Sequence, residues 1–345
     1  MNRLRTSAAI LTLTALQAFP AEGRGQGIVL REIAATRGSP TAPFGTICDM
    51  LQIEDGRIIV SDDVSGVLHA WSPEAGQFSI FARTGRGPGE VTTPTRLAPR
   101  PDGGFAVYDI GASAVFYFDR DGKPDGSTRI PGIVSNPKGM AIDSQGRVWL
   151  SGGRMTDPRH VHVFTPDGQR IAAYGEPSPH LRTDYPKIQA AGGALRRDSE
   201  GGILFSYGAP LRIVRFSPGA TADPVAIAED LKILPELREE EIYVPRPEIH
   251  PEAREFQWWH DRTTGVFVLP DGRLLNVITR FYKGDSVWDV YTPDGRLEHR
   301  TIVDKAYFAY HPTNDGRILA AYRNPDTDES VAVILEVRVG PAADR

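Results

Sequence analysis

Six times along this chain a short apolar segment leads through a Gly-containing tight turn into a second apolar segment. The intervals between successive turn glycines run from 43 to 71 residues. A four-stranded propeller blade takes roughly 40 to 50 residues, so hairpins repeated at this period predict an all-β fold, a single six-bladed β-propeller. The turns lie at Asp55-Gly56, Asp102-Gly103, Gln145-Gly146, Glu200-Gly201, Asp271-Gly272 and Asp315-Gly316.

Each repeat divides into four strands, as blade one illustrates. Period-two alternation and the turn residues place its strands at 46–53, 57–61, 66–71 and 78–83. A second hairpin recurs in most blades, with a turn built from combinations of Pro, Asp and Gly. The aromatic residues that precede these turns are expected to pack between blades, and they are Phe118, Phe164, Phe216 and Tyr291.

The last repeat has only three predicted strands, at 308–311, 317–322 and 331–339. Residues 28–33, ahead of blade one, form a β-prone segment without a partner. Closing the ring would remove the exposed strand edges that invite aggregation. We therefore predict that 28–33 pairs antiparallel with 331–339, so that the N-terminal strand completes blade six.

The N-terminus has the charged, apolar and small-residue order of a secretory signal peptide. Arginines precede an uncharged apolar run over residues 8–19, which is shorter than the roughly 20 apolar residues that a spanning helix needs. We expect residues 1–25 to be the signal peptide and the protein to be exported to the periplasm or beyond, with a retained anchor as the alternative. Candidate cleavage points follow Ala21, Gly23 and Gly25.

The remaining residues, 26–345, are expected to form the propeller as one domain. The chain has 39 basic and 44 acidic residues and a net charge of −5, spread throughout. This balance argues against a nucleic-acid partner or an anionic membrane surface. The only cysteine, Cys48, excludes an intramolecular disulfide and is far from the signal, so no lipoprotein is expected. No membrane span is predicted after signal removal, and no cofactor.

Two insertions, at about 176–192 and 226–263, lie between the last strand of one blade and the first strand of the next. Long irregular stretches of this kind are usually functional or disordered. The second contains the pair Trp258-Trp259, which argues against complete disorder. We interpret it as a flap packed on one rim of the ring, either a binding element or a cap.

Residues 138–150 resemble the inner hairpin of an NHL repeat, and residues 84–90, followed by Pro94, resemble the turn that links blades in secreted six-bladed propellers. The chain is thus similar to the NHL-like six-bladed β-propeller families of exported bacterial proteins over nearly all of its mature length. In those repeats the second strand usually ends in Val-Ala-Asp, which only Ser61-Asp62 and Tyr108-Asp109 approach here. The resemblance implies the fold and leaves the function open, because such families include binding scaffolds, lactonases and lyases.

The predicted first strands of the blades carry more cations than carboxylates toward the mouth of the central channel. Arginine and lysine repel a divalent cation and attract a carboxylate, a sulfate or a uronate, so an anion-binding mouth fits better than a metal site. The alternative is that these are strand ends with their charges in water. The residues are Asp49, Arg96, Lys138, Arg196 with Arg197, and His311.

Other motifs have a structural and a chemical interpretation. The glycine-rich residues 85–89 suggest a phosphate loop, but no helix start and no Gly-Lys-Ser/Thr follows, so a blade-linking turn is favoured, with Glu90 structural. His160 and His162 could share a metal, although a packed or solvated strand face is favoured and no metal is predicted.

Acidic residues follow the second strands of blades one and two. Asp62, Asp63 and Asp109 could serve acid–base chemistry if one were buried. Their recurrence at equivalent positions favours turn capping instead.

An aromatic and basic rim is expected on the face that carries the insertions. The leading hypothesis is an exported scaffold that binds a small anionic or carbohydrate-like ligand, or a protein, through this rim, because Trp, Tyr and Arg are enriched at binding hot spots. The rim residues are Trp258, Trp259, His260, Arg280, Tyr282, Lys283 and Arg323.

The alternative is a lactonase-like hydrolase or lyase at the channel mouth. It requires an acid such as Asp49, Asp63 or Asp109, with His311 or His260 as its partner. A subunit of a larger envelope assembly is a third interpretation. Whether the protein is an enzyme stays open from the sequence.

Overall fold

The computed structural model contains six four-stranded antiparallel sheets arranged in a ring, and no helix in the residues that it describes. The predicted six-bladed propeller is therefore confirmed. No helix of the described part is long and apolar enough to cross a membrane. The described residues are 27–39, 42–132, 137–154, 156–176, 192–207, 211–219, 224–230, 261–280 and 283–340.

The strands follow one another along each blade from the channel outward. Strand β1 (Ile28–Thr36) is followed by two short strands, β2 (Gly38–Ser39) and β3 (Ala42–Pro43). Blade one has β4 (Ile47–Gln52), β5 (Ile58–Asp62), β6 (Val67–Ser72) and β7 (Gln77–Ala82); blade two has β8 (Pro94–Pro99), β9 (Phe105–Asp109), β10 (Ala114–Phe118) and β11 (Pro124–Arg129); blade three has β12 (Gly139–Ile142), β13 (Val148–Ser151), β14 (Val161–Phe164) and β15 (Arg170–Tyr174).

Blade four has β16 (Gly193–Arg197), β17 (Ile203–Tyr207), β18 (Leu211–Phe216) and β19 (Val225–Asp230); blade five has β20 (Asp261–Val268), β21 (Leu274–Arg280), β22 (Asp285–Tyr291) and β23 (Leu297–Val303); blade six has β24 (Phe308–Pro312), β25 (Ile318–Arg323) and β26 (Ser330–Val339).

Blade six is completed by the first strand of the chain. β1 pairs antiparallel with β26 in a register that runs from Ile28 opposite Val339 to Thr36 opposite Ala332. The predicted closure is confirmed, and the paired segment extends beyond the predicted residue 33. The ring is thus closed by hydrogen bonds between the two ends of the described chain.

The six predicted turns between the first and second strands share one backbone geometry. Their glycines, at 56, 103, 146, 201, 272 and 316, have φ between +74° and +89°. The N–H of each glycine donates to the carbonyl three residues earlier, as from Gly56 to Ile53 at 3.0 Å. Glycine reaches this left-handed region without the steric cost that a Cβ would add, which explains why the turn residue recurs.

The core consists of six apolar clusters, one at each contact between neighbouring blades. Trp149 is buried between blades three and four, and Trp288 between blades five and six. Burying one large apolar side chain contributes about 1.5–3 kcal/mol. The aromatic residues predicted to pack between blades, Phe118, Phe164, Phe216 and Tyr291, all lie in these clusters.

The first strand of each blade lies innermost, and these six strands contact one another around the ring. Their side chains surround the central channel. The two insertions connect β15 to β16 and β19 to β20, so both enter the ring at the end where the inner strands begin. Residues 177–191 and 231–260 lie outside the described residues, as do 1–26, where the signal peptide is predicted.

Candidate ligand site at the channel mouth

Four residues predicted at the channel meet inside it and form a polar cluster, which we call the channel plug: Asp49, Arg96, Arg196 and His311. The exposed fraction is 1% for Asp49, 3% for His311 and 7% for Arg196. The alternative interpretation, strand ends with their charges in water, is therefore wrong for these three residues. They are buried because strands from opposite sides of a six-bladed ring converge on its axis.

Asp49, on β4, bridges blades one and two. Its carboxylate accepts hydrogen bonds from the backbone N–H of Leu97 at 3.0 Å and of Met50 at 2.9 Å. Burial raises the pKa of this carboxyl group, although the charges of Arg196 and Arg96 act in the opposite direction. The carboxylate thus links two neighbouring inner strands, β4 and β8.

Arg196, on β16, reaches across the channel from blade four to blade six. Its Nε donates to the carbonyl of Tyr310 at 2.7 Å, and one terminal nitrogen donates to that of Leu195 at 2.7 Å. Burial lowers the pKa of the guanidinium to about 10. Arg196 therefore remains charged at neutral pH.

Arg96, on β8, is less buried and connects three blades. Its Nε donates to the carbonyl of Pro137 at 2.8 Å, and one terminal nitrogen donates to the carbonyls of Thr95, at 3.0 Å, and Cys48. Within the described part of the chain, no hydrogen bond uses the second terminal nitrogen of Arg96.

His311, on β24, completes the plug from blade six. Its Nε2 lies 3.0 Å from the carbonyl of Leu97 and 3.7 Å from a carboxylate oxygen of Asp49. Burial and the charge of Arg196 hold the pKa of the imidazole well below its usual range. A neutral ring with its proton on Nε2 satisfies the carbonyl, and the plug then has two cations and one carboxyl group.

Lys138 lies at the mouth, where blade three begins, and is 8% exposed. Burial of the His160 imidazole and the positive charge of Lys138 lower the pKa of His160 to about 3. His160 Nδ1 accepts a hydrogen bond from the N–H of Gly192 at 3.0 Å, the residue at which the first insertion ends. A Cβ placed on Gly192 would lie 3.2 Å from Lys138 Cδ, so the mouth adjoins the base of that insertion.

Cys48 and Asp63 lie on the blade-one side of the same mouth. Burial raises the pKa of the Cys48 thiol to about 12; Arg96 acts against this rise and Asp63 adds to it. The thiol therefore stays protonated at neutral pH and is a poor metal ligand. One carboxylate oxygen of Asp63, Oδ1, is buried and accepts no hydrogen bond from the described residues.

Asp62 and Asp109 cap turns, as predicted. Asp62 accepts hydrogen bonds from the N–H groups of Gly45 at 2.7 Å, Thr46 at 3.0 Å and Ser65 at 3.1 Å. Asp109 does the same in blade two, for the N–H groups of Thr92, Thr93 and Ala112. Both carboxylates are fully buried and tie the entry of the first strand to the turn after the second, so neither is available for acid–base chemistry.

The glycine-rich residues 85–89 form a turn between blades one and two. The N–H of Gly87 donates to Glu90 Oε2 at 2.7 Å. A Cβ on Gly85 would overlap this carboxylate, which occupies the space that a bound phosphate would need. The structural interpretation of this motif and of Glu90 therefore holds.

The two histidines of blade three have different surroundings. His160 packs against the ring of Tyr207, with the centroids 5.0 Å apart, whereas His162 is fully buried opposite Leu150. Burial lowers the pKa of His162 to about 4. Within the described ranges, no cluster of three or more His, Cys, Asp or Glu residues could hold a metal ion.

The predicted rim is described only in part. Arg280 forms a bidentate ion pair with Asp285 in its own blade. Its Nε donates to Oδ1 at 2.6 Å and its Nη2 to Oδ2 at 2.5 Å. Arg323 pairs with Asp328 at 2.7 Å and is exposed. Trp258, Trp259, His260 and Tyr282 lie outside the described residues, so the rim as a surface remains a prediction.

Comparison with known proteins gives a likeness of fold. A protein of Bacteroides fragilis named a "putative exported protein" is 11% identical, with 90% of this chain and 95% of that chain covered and a TM-score of 0.58. A streptogramin B lyase is 12% identical, covering 90% and 98%, with a TM-score of 0.52. A gluconolactonase of Xanthomonas campestris is 16% identical, covering 85% and 87%, with a TM-score of 0.52. No family model and no curated protein matches the sequence.

Proposed function

We propose that this protein is an exported, NHL-like binding protein that holds a small anionic ligand at the mouth of its central channel, on the face that carries the two insertions. The observation that carries the proposal is the charge at the mouth. Arg96 and Lys138 come from neighbouring blades, and the channel plug, of which Arg96 is a member, places two guanidiniums against one carboxyl group. Cations held in a partly desolvated site attract anions more strongly than cations in water do.

The polar plug also supports binding in preference to transport through the ring. Its side chains cross the channel and donate to carbonyls on other blades, so a ligand would rest above them. The exported neighbour is consistent with the predicted signal peptide. The rim with Trp258, Trp259, His260, Tyr282, Arg280 and Arg323 would add contacts around the ligand.

Calorimetric titration of the mature protein with sulfate, phosphate and simple carboxylates at low ionic strength tests the proposal. We expect binding that weakens with salt, and a loss of about tenfold or more in Lys138→Met because one close charge is removed. Lys123→Met, at an exposed turn lysine, is the matched control and should bind normally. Absence of binding by every anion, or equal binding by Lys138→Met, would refute the proposal.

The rim component has its own test. Replacing both Trp258 and Trp259 by alanine should weaken binding, because aromatic side chains contribute most at hot spots. Binding that survives this double replacement would confine the site to the mouth.

A lactonase-like hydrolase or lyase is the second candidate. The adjacent acid and histidine that it requires exist as Asp49 and His311, 3.7 Å apart. Both are buried and bonded to Leu97, however, which leaves them little access to substrate. A screen of lactone hydrolysis with and without chelator tests it: turnover lost in Asp49→Asn would promote the enzyme over the binding protein.

A further inference from the structure

Blade three carries three arginines around one buried carboxylate, and we call this group the arginine cluster: Arg154, Arg159 and Arg170 around Asp157. The first two arginines and Asp157 lie in the connection between β13 and β14, and Arg170 begins β15, the strand of blade three farthest from the channel. The side chain of Asp157 is 9% exposed, whereas those of Arg159 and Arg170 are 36% and 35% exposed. Solvent therefore reaches the guanidiniums but hardly reaches the carboxylate.

Asp157 pairs with two of the three arginines. Arg159 donates from Nε to Oδ1 at 2.9 Å and from Nη2 to Oδ2 at 2.6 Å, which is a bidentate pair. Arg170 donates from Nη1 to the same Oδ2 at 2.6 Å. The hydrogen bond to Asp157 raises the pKa of Arg159, and the charge of Glu176 acts in the same direction. The charge of Arg159 is thus compensated, whereas Arg170 has only a share of one carboxylate.

The third guanidinium, that of Arg154, is brought to the same place. Arg154 and Asp157 exchange backbone hydrogen bonds at 2.9 and 3.0 Å. The Cζ of Arg154 lies 5.9 Å from the ring centroid of Phe164, and Phe164 is the direct partner of Arg170 in the pairing of β14 with β15. Nη2 of Arg154 donates to the carbonyl of Pro131 at 2.6 Å, and no carboxylate of the described residues forms an ion pair with Arg154.

The charges of Arg154 and Arg170 act on each other. Burial lowers the pKa of Arg154, and the positive charge of Arg170 lowers it further. The charges of Asp157, Arg154 and Arg170 also act on the same buried imidazole, that of His162, which burial keeps neutral. Two guanidiniums with one shared carboxylate therefore lie close together, and an anion bound between them would remove their mutual repulsion.

We propose that Arg154 and Arg170 bind a tetrahedral oxyanion, a sulfate or phosphate group, at the outer edge of blade three. The planar fork of arginine matches the oxygens of such a group, and a tetrahedral anion has enough oxygens to accept from two guanidiniums at once. Its double negative charge compensates both cations, whereas a monocarboxylate compensates one. The innermost strands form the channel mouth, so this site is separate from it and independent of the proposed function.

Calorimetric titration with sulfate at low ionic strength tests the site, in a Lys138→Met background so that the channel mouth does not contribute. We expect Arg170→Met, added to this background, to weaken binding about tenfold or more, because hydrogen bonds from a charged group to the anion are lost. Arg31→Met is the matched control, since Arg31 is an exposed arginine that pairs with Glu336 on β26. It should leave the sulfate affinity unchanged.

A second variant should change the affinity in the opposite direction. Asp157→Asn keeps the shape of the side chain and removes a negative charge beside the anion, so sulfate should bind about threefold or more tightly. An arginine cluster that only holds its loop in place would not bind sulfate more tightly in this variant. Inorganic phosphate and glucose 6-phosphate, as further titrants, distinguish a free ion from an ester, and binding of either supports the site.

The outcomes separate this site from the proposed function. No sulfate binding in the Lys138→Met protein, or an affinity unchanged by Arg170→Met, would overturn the site. Acetate that binds as tightly as sulfate would overturn the tetrahedral oxyanion. Sulfate binding lost in Arg170→Met but unchanged by Lys138→Met would support this site and refute the proposed one at the mouth. The comparison of Arg170→Met with Arg31→Met is decisive even if Asp157→Asn does not fold.

Discussion

Blade one contains two buried carboxylates that are used in opposite ways. Asp62 accepts its hydrogen bonds from groups within 17 residues of itself, and so serves one blade and its entry. Asp49 bonds to Leu97, 48 residues away, in a cluster where Arg196 bonds across 114 residues and His311 across 214. Asp62 therefore stabilises one blade, whereas the channel plug couples several blades. Loss of the plug should thus destabilise the whole ring.

The largest effect is expected at the plug. Arg196→Met keeps most of the volume but removes the bond from blade four to blade six and one cation beside Asp49. A hydrogen bond from a charged group contributes about 1.5–3 kcal/mol and Arg196 makes two to backbone carbonyls, so we expect a loss of about 4 kcal/mol in the free energy of unfolding, measured by urea denaturation. Arg317→Met, in the exposed pair with Asp315, is the control and should cost less than about 1 kcal/mol. Similar small losses in both would show that the plug does not couple the blades.

A smaller loss is expected at the turn carboxylate of blade two. Asp109→Asn removes the charged acceptor for the N–H groups of Thr92, Thr93 and Ala112, and we expect a cost of about 2 kcal/mol. Asp55→Asn changes an exposed turn aspartate and should cost less than about 0.5 kcal/mol. The same denaturation measurement distinguishes them, and equal costs would contradict the structural role given to Asp109.

The smallest effect that we expect is a loss of folding stability as the pH falls. The folded-state pKa of His162 is about 4, below the ordinary value of 6.5, so the unfolded chain takes up a proton first as the pH falls. Stability should thus be intact above pH 6.5 and decline toward pH 4, by about 1 kcal/mol between pH 6.5 and 5.5 for this residue. His160 adds in the same direction, with its folded pKa at about 3.

Unfolding free energies measured from pH 7 to pH 5 check this decline. His162→Phe keeps an aromatic ring without the titrating nitrogens, and should show a shallower slope by about one proton. A slope unchanged in that variant would assign the acid sensitivity to other groups.

The contrast between Asp62 and Asp49 also explains what could be predicted from the sequence. Turn glycines, aromatics before turns and capping aspartates have partners nearby in the chain, so their roles follow from local patterns. The equivalent positions of Asp49, Arg96, Arg196 and His311 in the first strands placed them at the channel correctly. Their positions in the strands did not predict that these four side chains would bury one another.

Their bonding partners explain why. The acceptors are mainly backbone carbonyls, such as those of Tyr310 and Leu97, which every sequence has and no side-chain pattern marks. Which carbonyl lies opposite depends on the diameter and stagger of the closed ring. The oxygen of Asp63 that accepts no hydrogen bond from the described residues likewise became visible only once burial was known.

Strands β1 and β26 pair with each other although they are synthesised far apart in time. Strand β1 is synthesised before the other strands that the structure describes and its partner β26 after them, so blade six lacks its outer strand until β26 has been made. The ring therefore stays open while blades one to five are made, and it closes only when β1 and β26 meet.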